Sequence, residues 1–82
     1  MKIIAFVYKK DDPTSDFFMK KLESLTSTYE IQILDAKENP NLIEKYNINI
    51  VPALIKVDEQ ENLVHNYKKF GNEEEMRNFL ND

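Results

Sequence analysis

The side chains with the most chemical potential in this sequence crowd around one proline. Asp11, Asp12, Ser15 and Asp16 surround Pro13 and Thr14. Three carboxylates in so short a stretch raise the question of a metal ion, and a serine among them that of a nucleophile. A metal needs ligands converging from several directions. A helix cap and the usual acidic bias of a first helical turn account for two of these carboxylates without an ion. A nucleophilic serine needs a nearby base, itself oriented by a third group. The single histidine, His65, falls in a distant strand-like run, away from this helix start. Ser15 therefore reads as a capping or local hydrogen-bonding group, and His65 as a partly exposed strand residue. There is no cysteine, so neither disulfides nor thiolate chemistry are available. On this reading no residue is catalytic, and neither a metal nor a cofactor is expected.

The elements that must position these groups follow from composition and periodicity. Residues 1–82 read as one domain, long enough to remove roughly 60–65% of its unfolded surface from water. The net charge of −4 and the 41% hydrophobic content fit a globular domain. They argue against a nucleic-acid surface, which needs a concentrated positive field. The opening Met1-Lys2-Ile3-Ile4-Ala5-Phe6-Val7 is too briefly apolar for a membrane span and lacks a secretory cleavage site. A cytoplasmic location is expected.

Lys2 to Tyr8 is apolar on both faces, the pattern of a central strand covered by helices. Asp12 followed by Pro13 starts a helix that should run to about Thr26, with Phe18, Leu22 and Leu25 inward. Tyr29 to Leu34 alternates and predicts a second strand, parallel to the first through a right-handed crossover. Asn39-Pro40 repeats the cap-then-proline signature and opens a short helix ending near Asn47. Pro52 introduces a third strand, Ala53 to Val57, because proline suits a strand's first residue and not its middle. Residues 58–62 are too few for a crossover helix, so a fourth strand, Leu63 to Phe70, must return as a hairpin. Leu63, His65 and Tyr67 should share one of its faces, with Lys68-Lys69 a solvated charge run. Gly71 permits a turn, and Asn72 with Glu75 starts a final helix carrying Met76, Phe79 and Leu80.

This β-α-β-α-β-β-α order, with a proline opening strand three, resembles the thioredoxin-like superfamily in its glutaredoxin-sized form. The resemblance covers essentially the whole chain. Its most specific parts are Val7-Tyr8 leading to Asp12-Pro13-Thr14-Ser15, the stretch from Asp35 to Tyr46, Ile50-Val51-Pro52-Ala53-Leu54, and Gly71. It implies an α/β three-layer sandwich with a four-stranded mixed sheet in the order 2-1-3-4. It also implies a cis peptide bond at Val51-Pro52, facing the first helix. Redox members carry Cys-Pro-x-Cys at that helix start; here Asp12 and Ser15 stand at the two cysteine positions. Disulfide exchange is therefore excluded, and Asp12, Pro13, Thr14 and Ser15 are vestigial active-site positions.

The function expected first is protein or peptide recognition without redox chemistry. Its site is the groove between the first helix start and the proline loop, lined by Tyr8, Phe17, Ile50, Val51 and Pro52. An extended peptide would pair there with exposed backbone, and an exposed Phe17 would be the visible sign. One alternative is glutathione binding or a transferase-like activity in the same groove, with Lys9 and Lys10 attracting the ligand and Ser15 or Tyr8 activating its thiol. Asp11, Asp12 and Asp16 oppose it, and the paired glycine of glutathione binders is reduced to Gly71-Asn72. A second alternative comes from clock-associated thioredoxin-like proteins of cyanobacteria, which oligomerise and switch fold. Their Thr-Pro-Asn-Ser helix start is similar to Asp12-Pro13-Thr14-Ser15, whereas Pro52 through Leu80 looks like ordinary thioredoxin.

Overall fold

The computed structural model describes residues 1–67 and 72–82. β1 (Lys2–Val7), α1 (Pro13–Ser24), β2 (Ile31–Asp35), α2 (Pro40–Lys45), β3 (Ala53–Val57), β4 (Leu63–Tyr67) and α3 (Glu73–Asn81) follow one another in the β-α-β-α-β-β-α order. The sheet runs β2-β1-β3-β4. β1 pairs parallel with β2 and antiparallel with β3, and β3 pairs antiparallel with β4.

The two apolar faces of β1 and β3 dictate the layers. Ile3, Ala5, Val7 and Leu54 pack with Phe18 and Leu22 of α1 and with Met76, Phe79 and Leu80 of α3. Ile4, Phe6, Ala53, Ile55 and Val57 face the other way, onto Tyr46, Ile48 and the α2 residues Leu42 and Ile43. Helices thus cover both faces, completing a thioredoxin-like three-layer sandwich. Each fully buried side chain of this kind, such as Phe6 or Ile55, contributes about 1.5–3 kcal/mol.

The helix ends show how the chain is steered. α1 stops at Ser24, short of Thr26, because Leu25 is already extended and its amide turns back to Leu22 O. α2 ends in a Schellman motif. The Asn47 amide donates to Glu44 O and the Ile48 amide to Ile43 O, at 3.1 and 2.9 Å. Asn47 takes the left-handed conformation that this motif requires, φ 52°. Ile43 and Ile48 both pack against the same core cluster, which aims the chain at the Val51–Pro52 loop. That peptide bond is cis. The Tyr46 hydroxyl then donates to Glu61 O at 2.7 Å, fastening α2 to the β3–β4 turn. At the other end, α3 is tied to the α1–β2 loop: Asn81 Nδ2 donates to Thr26 O and Thr28 Oγ1 to Asn81 Oδ1.

Two local expectations fail. Asn39 makes no side-chain cap for α2; its amide group donates back to Asp35 O at 2.9 Å. A 3-10 turn at Ala36–Glu38 brings Asn39 within reach of that carbonyl, and the local bond wins. In β4, Val57 pairs with Leu63 but Lys56 pairs with His65, leaving Val64 as a bulge. Directly paired residues share a face, so Leu63 lies on the α2 side and His65 on the α3 side. The expectation that they share a face is therefore wrong. The expected extension of this strand through Lys68-Lys69 to Phe70, and the Gly71 turn, lie outside the described residues.

Candidate functional site

The start of α1 and the Pro52 loop lie at the same end of the sheet. Phe6 at the end of β1 pairs with Ala53 at the beginning of β3, and the chain leaves β1 there to enter α1. Asp11 takes a left-handed conformation, φ 58°, which turns the chain so that Asp12 becomes the N-cap of α1.

The oxygens at this helix start are spent on one another. Asp12 Oδ2 accepts from the Ser15 amide at 3.3 Å and from the Ser15 hydroxyl at 2.6 Å. The Ser15 hydroxyl oxygen in turn accepts from the Tyr8 amide at 2.9 Å. Ser15 is fully buried. It therefore holds the exit of β1 against the first turn of α1. A nucleophile needs the opposite arrangement: access to substrate and a base to take its proton. The carboxylate that could accept that proton is engaged as the helix cap, and cap bonds of this type are worth about 1 kcal/mol. The Ser15 amide, one of those a ligand carboxylate could use, is already engaged. Among the described residues, no three acidic or histidine side chains gather as a metal site would require.

Of the side chains expected to line a groove here, Phe17 and Ile50 are open. Phe17 is 63% exposed and Ile50 69% exposed. The Lys21 ammonium lies 5.1 Å from the Phe17 ring centre. Tyr8 is half-buried, with the Lys37 ammonium 5.8 Å over its ring. Val51 is half-buried and packs with the α2 cluster, and Pro52 is buried. His65 stands on the edge strand at the far side of β3, its ring tilted 37° against that of Phe79 with ring centres 5.4 Å apart.

One residue escaped the sequence reading. Lys56 lies in the middle of β3, 6% exposed among buried apolar neighbours. Its signal was present. A strand that is apolar on both faces must bury whatever charged residue it contains, and Ala53-Leu54-Ile55-Lys56-Val57 contains one.

A cysteine-free domain of thioredoxin fold, with a self-satisfied carboxylate–hydroxyl cap where redox members place sulfur, is the class that fold and site define. Comparison with solved structures agrees on the fold. Thioredoxin 1 from the thermophilic eubacterium Thermosipho africanus TCF52B superposes with a TM-score of 0.73 at 22% sequence identity, over 95% of this chain and 88% of that one. Comparison with family models matches residues 9–70 to the KaiB domain, so the chain belongs to the KaiB domain family. No curated protein sequence matches it.

Proposed function

We propose that this chain is a non-catalytic association domain of the KaiB kind, assembling with other protein chains, copies of itself among them. The observation that carries this reading is the family match over residues 9–70. The sequence alone put groove-based peptide recognition first and the clock-associated, oligomerising branch behind it. KaiB membership reverses that order. The glutaredoxin-sized identity gives way with it, and the thioredoxin likeness remains a statement about fold.

The surface proposed for this association is the apolar rim at the helix-start end of the sheet, with Phe17 and Ile50 as its anchors and Tyr8 beside them. Large side chains left in water are the ones an interface gains most by covering. The polar groups at the same end support the reading from the other side, because Asp12 Oδ2 and the Ser15 hydroxyl are bonded to each other and Ser15 is sealed from water. The whole chain is proposed to act as one domain.

Sedimentation equilibrium over a rising protein concentration tests the reading. The average mass should climb above that of one chain, and Phe17→Asp and Ile50→Asp should each shift the series toward the single-chain mass. A wild-type chain that stays at the single-chain mass throughout would remove self-association. An oligomer untouched by both variants would remove this rim.

A further inference from the structure

At the end of the sheet opposite the helix start, a groove of 440 Å³ opens between β4 and α3, lined by Met1, Lys56, Val64, His65, Glu75, Phe79 and Asp82. That volume is in the range of small-molecule sites. The bulge in β4 shapes it: the extra residue, Val64, lets Val64 and His65 both line the groove.

Lys56 is the unusual member. Its ammonium stands 4.9 Å from the ring centre of Tyr29 and 4.7 Å from that of Phe79. Aromatic faces attract a cation, but they leave its N–H groups without oxygen acceptors. The ion pairs among the described residues join Lys45 to Glu61 and Arg77 to Glu73. Lys56 has neither an ion pair nor a hydrogen bond among those residues. Its stem is buried among apolar neighbours, while the ammonium is not cut off from water and reaches solvent at the groove.

We propose that this groove binds a small amphiphilic monocarboxylate. The carboxylate takes the place of water at the Lys56 ammonium, with the His65 ring beside it. An apolar body lies on Phe79, Val64 and Met1. Glu75 and Asp82 supply two negative charges to the lining, so a phosphate dianion is repelled where a single carboxylate is tolerated. The same two acids favour a ligand whose far end is positive. This site is separate from the association rim and does not depend on it.

The test is a titration of isotope-labelled chain, followed by amide resonances at low ionic strength, with three probes: hexanoate, 6-aminohexanoate and inorganic phosphate. Hexanoate should give saturable shifts centred on Lys56, His65 and Phe79. 6-Aminohexanoate should bind about threefold more tightly, a typical gain for an exposed charge pair, and phosphate at least tenfold more weakly. Lys56→Met keeps the unbranched stem and should weaken hexanoate about tenfold or more. Glu75→Gln should leave hexanoate unchanged and reduce the advantage of 6-aminohexanoate. The proposal is overturned by an absence of saturable shifts with millimolar hexanoate, by phosphate binding as well as hexanoate, or by equal hexanoate affinity in folded Lys56→Met.

Discussion

The two ends of the sheet handle polar groups in opposite ways. At the start of α1, Asp12 and Ser15 bond to each other and to the Tyr8 amide, and Ser15 is sealed from water. At the far end, Lys56 is almost as deeply buried, yet its ammonium meets two aromatic rings and no oxygen among the described residues. A buried group bonded within the fold holds it together; an ammonium that meets only rings and solvent is open to a ligand. The helix start is thus the more structural of the two, despite its concentration of carboxylates.

The largest effect that sharpens this contrast is at the cap. Asp12→Ala should cost about 1–2 kcal/mol in urea unfolding, by removing the N-cap and orphaning the Ser15 hydroxyl. Ser15→Ala should be strongly non-additive with it, because both mutations break one network. Lys56→Met should behave differently. Replacing a buried charge that lacks an oxygen partner with an apolar stem of similar length should change stability by less than about 1 kcal/mol, in either direction. A loss as large as that of Asp12→Ala would make Lys56 structural and collapse the distinction. Phe17→Asp and Ile50→Asp are smaller still in folding terms, within about 0.5 kcal/mol, since exposed side chains outside special features tolerate change. Their effect should appear in assembly and not in unfolding.

The smallest effect concerns a third arrangement, a carboxylate that is bonded and half-exposed. Asp58 Oδ1 accepts from the Asn62 and Gln60 amides at 2.9 Å each in the β3–β4 turn. Bonding to the Asn62 backbone is the main influence holding its carboxyl below the ordinary carboxylate value, with burial opposing it and Gln60 assisting. A group depressed in the folded state adds stability above its unfolded value of about 4, and that contribution disappears as pH falls through the folded value. Urea midpoints measured downward from pH 5 should show a slightly shallower acid loss in Asp58→Asn than in the wild type. Identical slopes would mean that the turn contributes nothing to acid stability.

How much of this was legible depended on whether neighbours in sequence were also neighbours in space. The strand β1, apolar on both faces, announced a covered central strand, and Asp12-Pro13 announced its helix, because cap and first turn are contiguous. Pro52 announced the beginning of β3 for the same reason. The β4 bulge was not legible. One extra residue reverses the facing of everything beyond it, and the pairing that absorbs it is set by β3 and not by β4 itself. Asn39 misled in a similar way: its cap signature was intact, but the preceding 3-10 turn offered a competing carbonyl. At the site, Ser15 was read correctly as a local hydrogen-bonding residue. That Phe17 and Ile50 are exposed while Pro52 is buried needed the structure, since a helix flank and a loop carry no burial signal strong enough to separate them.

Association, and not chemistry at the helix start, is the function proposed for this chain. The most direct measurement of it is sedimentation equilibrium of three folded chains side by side: wild type, Asp12→Ala and Ile50→Asp. Wild type and Asp12→Ala should assemble alike with rising concentration, even though Asp12→Ala unfolds earlier in urea, while Ile50→Asp should remain nearer the single-chain mass. Loss of assembly in folded Asp12→Ala, with Ile50→Asp assembling as the wild type does, would contradict it.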